Sequence, residues 1–123
     1  MAMMLALAIA AQAVPDGEAA LEAMLAGRVE GAPLTCVSPR SLRGSRIVDG
    51  TAIIYEGNGS RLYVQRPTQG AEQLRSGDTI VSRSTIGSLC RTDIADLVDR
   101  STRIRTGFVT FGRFVPYDKP KRR

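Results

Sequence analysis

From Ser45 onward the chain is built of short β-branched runs punctuated by glycine. Arg46-Ile47-Val48 meets Asp49-Gly50, and Thr51 to Tyr55 (TAIIY) follows at once. Asp-Gly between two such runs predicts a hairpin with a type I′ turn, which needs positive φ at both central positions. Gly57-Asn58-Gly59-Ser60 makes the next turn and leads into Arg61-Leu62-Tyr63-Val64-Gln65. There the alternation sends Leu62 and Val64 to one face and Arg61, Tyr63 and Gln65 to the other. Residues 46–65 therefore predict a three-stranded meander. Asn58-Gly59-Ser60 also matches a glycosylation sequon, but it reads here as a turn.

The rest is less regular. Pro67 to Gly77 is a polar connection, Thr79-Ile80-Val81-Ser82 a short strand, and Gly107 to Phe114 a closing strand that Pro116 should end. Asp93 to Asp99 fits a helical face (Ile94, Leu97 and Val98, with Thr92 as cap) or a strand, and is too short for periodicity to decide. Asp16 to Gly31 is the one clear helical stretch. Asp16 can cap it, Glu18 suits the first turn, Leu21, Met24 and Leu25 recur at helical spacing, and Gly27 and Gly31 offer stops. Being acidic, it equally reads as a loosely ordered arm. The expected fold is mainly β: a small five- to six-stranded antiparallel meander or partly open barrel with a short N-terminal helix. A single domain would span 34–117, with an arm at 14–33 and a basic tail at 118–123.

Met1 to Ala13 (MAMMLALAIAAQA) has no charged side chain and ends in Ala11-Gln12-Ala13, the small-x-small pattern of a signal-peptide cleavage site. It lacks a basic n-region and is shorter than the roughly 15–30 residues usual for secretion, so a packed helix or a short anchor is the alternative. It is too short for a transmembrane span, which needs about 20 apolar residues. If it is an export signal, Cys36 and Cys90 mature where a disulfide forms and persists. Two buried free thiols or half a metal site are the other options. Metal finds little support, with no His in the chain and no C-x-x-C pair. A Cys36–Cys90 bond closes a loop of about 55 residues, for which chain entropy gives about 4 kcal/mol.

The net charge of +5 is uneven. Residues 14–35 carry −3, residues 36–117 carry +5, and the last six carry +3. A basic body and tail suit an anionic partner: lipid headgroups, lipopolysaccharide or a cell-wall polymer. The tail Lys119-Pro120-Lys121-Arg122-Arg123 is the most interaction-like stretch, and Arg40, Arg43 and Arg46 step through the loop entering the first strand. These seven cations are the candidate anion contacts. The bland alternative is a solubilising tail, and arginines that reflect composition and are solvated. Nucleic acid is disfavoured, because stacking aromatics on a basic face are missing and the three Phe sit where a core wants them.

Catalysis has little to stand on. No His is present to act as base, and no Ser sits in a G-x-S-x-G elbow. Asp93, Asp96 and Asp99 form the one carboxylate cluster, better read as balancing Arg91, Arg100 and Arg103 than as a hydrolase pair. Two cysteines so far apart suit a structural bond rather than thiol exchange. No cofactor is implied.

One resemblance adds to this reading. Its carriers are Cys36, Arg46-Ile47-Val48-Asp49-Gly50-Thr51, Ile53-Ile54-Tyr55, Leu89-Cys90 with Asp93 close behind, and Phe111-Gly112-Arg113-Phe114-Val115-Pro116-Tyr117. In that order, over about residues 34–117, the chain resembles a family of small exported proteins of Gram-negative, mostly alphaproteobacterial, origin and unknown function. Members of that family usually carry four cysteines. The two missing here match positions near Ala71 and Val109, so the resemblance implies that each couple is a bond and that Cys36 pairs with Cys90. It also tilts residues 93–99 toward strand, and it implies no activity.

The expected function is that of an exported, periplasmic, non-catalytic binding or structural domain touching an anionic envelope component. An envelope enzyme or inhibitor with an unrecognised site is the alternative. A nucleic-acid binder is a third reading, should the N-terminus be retained.

Overall fold

A computed structural model describes residues 17–83 and 87–120. The expected signal segment Met1–Ala13, the Asp16 cap and the cations Lys121, Arg122 and Arg123 lie outside the described residues. Helix α1 spans Gly17–Leu25. Ten strands follow: β1 Val29–Glu30, β2 Cys36–Val37, β3 Gly44–Val48, β4 Ala52–Glu56, β5 Leu62–Gln65, β6 Asp78–Ser82, β7 Leu89–Cys90, β8 Ile94–Asp99, β9 Arg105–Thr110 and β10 Phe114–Asp118. The fold is thus mainly β with a short N-terminal helix, as the pattern predicts, and all its pairings are antiparallel. The strands form three sheets, ordered β1-β10-β5-β4-β3, β2-β7 and β6-β8-β9, which do not close into a barrel.

The meander is where the sequence puts it, as β3, β4 and β5, with Arg46 opposite Ile54 and Ile54 opposite Val64. The first turn differs in type. Gly50 has φ +64 and Asp49 is not in the left-handed region, while Thr51 N donates to Val48 O at 3.0 Å. Positive φ at the second central position alone is the type II pattern, not I′.

Both faces of this sheet are covered, which is why TAIIY reads as an unbroken apolar run rather than an alternation. On one face, Leu21 of α1 packs with Val48, Ala52, Ile54 and Val64, and Met24 and Leu25 flank them. Residues 17–25 are therefore helix packed on the sheet, and β1 pairs with β10. On the other face, Ile53, Tyr55, Tyr63 and Phe114 meet Ala95, Leu97 and Val109 of the three-stranded sheet. Tyr63 and Gln65, on the face opposite Leu62 and Val64 as the alternation predicts, are buried for that reason. Tyr55, Phe111 and Phe114 pack edge-on or tilted, with centroids 5.7–6.4 Å apart, contacts worth about 0.5–1.5 kcal/mol each beyond burial.

Residues 94–99 are strand, with Ala95 and Leu97 inward. The closing stretch divides into β9 and β10, and Pro116 lies inside β10 rather than ending it. Its carbonyl accepts from Gly31 N at 2.8 Å on the β1 side. A strand residue directs its N–H and C=O to the same side, so the missing N–H removes no bond to β5. Cys36 and Cys90 face each other across β2 and β7 and are joined, with S–S 2.09 Å.

Candidate functional site: an arginine-rimmed cleft

Strand pairing brings together cations that the sequence keeps apart. Arg46 leaves β3 on the same face as Ile54, its cross-strand partner. Arg43 lies just before β3, where its backbone N–H donates to Glu56 O at 2.7 Å. The β4–β5 turn carries Arg61 to the same end of the sheet, and Arg28, just beyond α1, donates from its guanidinium to Ser60 O. These four arginines rim a cleft of about 350 Å³, whose apolar lining is Met24, Ile54 and Leu62. Gly57 matters to its wall, because a Cβ there would come within 2.8 Å of the Tyr63 ring.

The four cations differ in how they are engaged. Arg61 and Asp118 make a two-bonded pair at 2.7 and 2.9 Å, which raises the guanidinium's pKa and holds the carboxyl below the usual carboxylate range. Arg61 also lies over the Tyr63 ring, 5.9 Å from its centroid. Arg46 meets Glu56 at 3.3 Å, with two thirds of its side chain exposed. The Arg43 guanidinium meets no acceptor among the described residues. One carboxylate, Glu56, lines the cleft against four cations.

Of the candidates named from sequence, Arg43 and Arg46 share this cleft, and Arg40 does not line it: it sits on the short 3-10 turn Pro39–Ser41. Lys119 lines the adjoining hollow with Asn58, Ser60, Arg61 and Asp118, so the root of the tail abuts the cleft through Ser60 and Arg61. Arg28 and Arg61 were not among the sequence candidates. Their signal is the meander itself: once Glu56 is paired with Leu62, Arg61 must lie at that sheet end.

The carboxylates have other partners than expected. Asp96 binds Arg83 at 2.6 and 2.9 Å and Arg105 at 3.0 Å, and the bond from Arg83 lowers its pKa. Asp99 accepts the backbone N–H groups of Thr102 and Ser101, which lower its pKa in turn. Asp93 accepts from Cys90 N at 2.8 Å. None of the three is bonded to Arg91, Arg100 or Arg103 through its side chain among the described residues, and Arg100 donates to Ser76 O instead.

A second hollow lies between Thr68, Arg91, Thr92, Phe111, Gly112 and Arg113. Thr92 there has φ +72, a left-handed conformation costing a β-branched residue about 1–2 kcal/mol. It is held in place by Thr92 N to Phe111 O at 2.8 Å and Asp93 N to Cys90 O at 3.1 Å. With two cations rather than four, it is the lesser anion site.

Among the described residues no His, Cys, Asp and Glu group has the arrangement of a metal site, and no helix is long and apolar enough to cross a membrane. Set against family models, curated proteins and solved structures, the chain finds no match in any of the three.

Proposed function

We propose that this chain is an exported, non-catalytic domain that holds an anionic component of the cell envelope on the face bearing the arginine cleft. The observation that carries the reading is the convergence of Arg28, Arg43, Arg46 and Arg61 on one concavity, with Lys119 beside it. Converging cations raise the local potential in a way that scattered ones do not. The Cys36–Cys90 bond suits an oxidising compartment, and Met1–Ala13 has the composition of an export signal. The resemblance to small exported proteins of Gram-negative bacteria agrees with both. Lys119, at the root of the basic tail, adds its charge beside the same cleft.

The experiment is flotation of the oxidised protein with vesicles of anionic or zwitterionic lipid across a salt series. Binding to the anionic vesicles that fades as salt rises supports the reading; equal partitioning to both kinds contradicts it. Mass spectrometry of the protein recovered from its native host tests export, which requires an N-terminus after Ala13.

A further inference from the structure

Resting on that reading, we infer that the cleft takes a terminal phosphate monoester carried on a small apolar or ring-shaped group. Three features of the site argue for this class. The first is the shape of the cation array. Arg28, Arg43, Arg46 and Arg61 surround a single hollow of about 350 Å³, the lower end of the range for small-ligand sites. An anionic polymer is better met by a track of charges along an open surface. The second is the donor type. A guanidinium presents a planar fork that matches two oxygens of a phosphate at once. With Arg61 committed to Asp118, the forks open to the ligand are those of Arg43 and of Arg46, which is exposed and holds Glu56 by a single 3.3 Å contact.

The third is the apolar lining. Met24 and Leu62, half-buried at the edge of the cluster under α1 and over the buried Ile54, border the cleft beside the arginines. A bare ion gains nothing from such a surface, whereas the carbon skeleton next to an ester oxygen covers it and loses its own water contact. The two kinds of surface together describe an amphiphilic ligand with a charged end. A free phosphate ester and a lipid headgroup ending in a monoester both have this chemistry.

Titration calorimetry of the oxidised full chain with phenyl phosphate and with inorganic phosphate tests the class, and vesicles distinguish the sources. Two variants are compared: Arg43→Ser with Arg46→Ser in the cleft, and Arg75→Ser with Arg103→Ser, exposed arginines outside both hollows, which removes the same charge elsewhere. Arg43 and Arg46 are exposed, so their loss leaves the fold standing. The expected result is tighter binding of phenyl phosphate than of inorganic phosphate, weakened about thirtyfold by the cleft variant and unchanged in the control.

If vesicles of phosphatidic acid then bind better than vesicles of phosphatidylglycerol at equal surface charge, the ligand is a headgroup. If they do not, while phenyl phosphate still binds, it is a soluble ester; both results support the inference. Equal loss in the two variants overturns it. So does capture by anionic vesicles with no response to phenyl phosphate, a result that leaves the broader envelope reading intact. An oligonucleotide that binds through Arg43 and Arg46 where phenyl phosphate fails also overturns it. Absence of binding to every anion sinks both readings together.

Discussion

The side chain of Gln65 and the backbone of Gly112 bond each other twice: Gln65 Nε2 donates to Gly112 O at 3.0 Å, and Gly112 N donates to Gln65 Oε1 at 2.6 Å. Gln65 is fully buried, and its amide here stands in for a neighbouring strand. The pair fixes the chain between β9 and β10, from which Phe111 and Phe114 enter the core. Gly112 has no room for a side chain, since a Cβ would meet Arg66 O at 2.5 Å. Replacing Gln65 by Leu leaves a buried donor and a buried acceptor unpaired, at about 1–3 kcal/mol each. Urea unfolding should show Gln65→Leu destabilised by about 2–6 kcal/mol, and Gln65→Glu destabilised as well, because an ionised carboxylate cannot donate to Gly112 O. A fall of less than 1 kcal/mol in both would contradict the assignment.

The Cys36–Cys90 bond joins β2 to β7, two strands of two residues that carry little pairing of their own. Chain entropy gives the closed loop about 4 kcal/mol, a large share of a typical total of about 5–15 kcal/mol. Cys36→Ala with Cys90→Ala should unfold at much lower urea than the oxidised protein, and the reduced wild type should unfold with it. Unfolding midpoints that do not move on reduction would show that the bond is not a staple.

Ala71 and Val109, near which the resemblance puts the missing cysteines, meet in the main core, Val109 within it and Ala71 packed against it. A Cβ on the neighbouring Gly70 would lie 3.3 Å from the Val109 Cα, so the two segments run against each other. Ala71→Cys with Val109→Cys should therefore form a second bond, closing a loop of about 40 residues worth about 4 kcal/mol. Its signature is a further two-dalton loss of mass and a raised thermal midpoint. Two free thiols in the folded, oxidised protein would mean that the four-cysteine pattern does not carry over to this chain.

Acid should weaken the three-stranded sheet. Asp96 is held below its ordinary value of 3.8, first by the bonds from Arg83 and then by the charge of Arg105. A carboxyl depressed in the folded state contributes stability that is fully present above its unfolded pKa and is lost as pH falls through the folded one. Asp96→Asn should accordingly lower the urea midpoint at pH 7 and converge with wild type at pH values well below 3.8. A gap that stays constant down to the acid limit would assign its cause to packing rather than charge.

What the sequence disclosed was local. TAIIY and the Asp-Gly and Asn-Gly-Ser turns announce the meander, and Leu21, Met24 and Leu25 announce a helix with one buried face. The alternation placed Leu62 and Val64 on one face and Tyr63 and Gln65 on the other, as observed, but it tells only that two faces differ, not that another sheet covers the second one. Pro116 inside β10 escaped notice for a related reason. Its tolerance depends on which side of the strand carries the broken ladder, and only the pairing with Gly31 reveals that. The cleft was half legible. Arg43 and Arg46 lie three residues apart at a strand entrance, but Arg28 and Arg61 join them only through the packing of α1 and the hairpin of β4 with β5.

Vesicle binding measured against salt, with the cleft and the tail removed separately, bears most directly on how this protein meets an anionic surface. Arg43→Ser with Arg46→Ser takes two cations from the cleft, while a chain ending at Asp118 loses Lys119, Lys121, Arg122 and Arg123 and keeps the Arg61 partner. The account predicts that the cleft variant weakens binding about thirtyfold at low salt and flattens the salt dependence, whereas the shortened chain still binds through its arginines. Undiminished binding of the cleft variant, with all of it lost on removing the tail, would contradict the account.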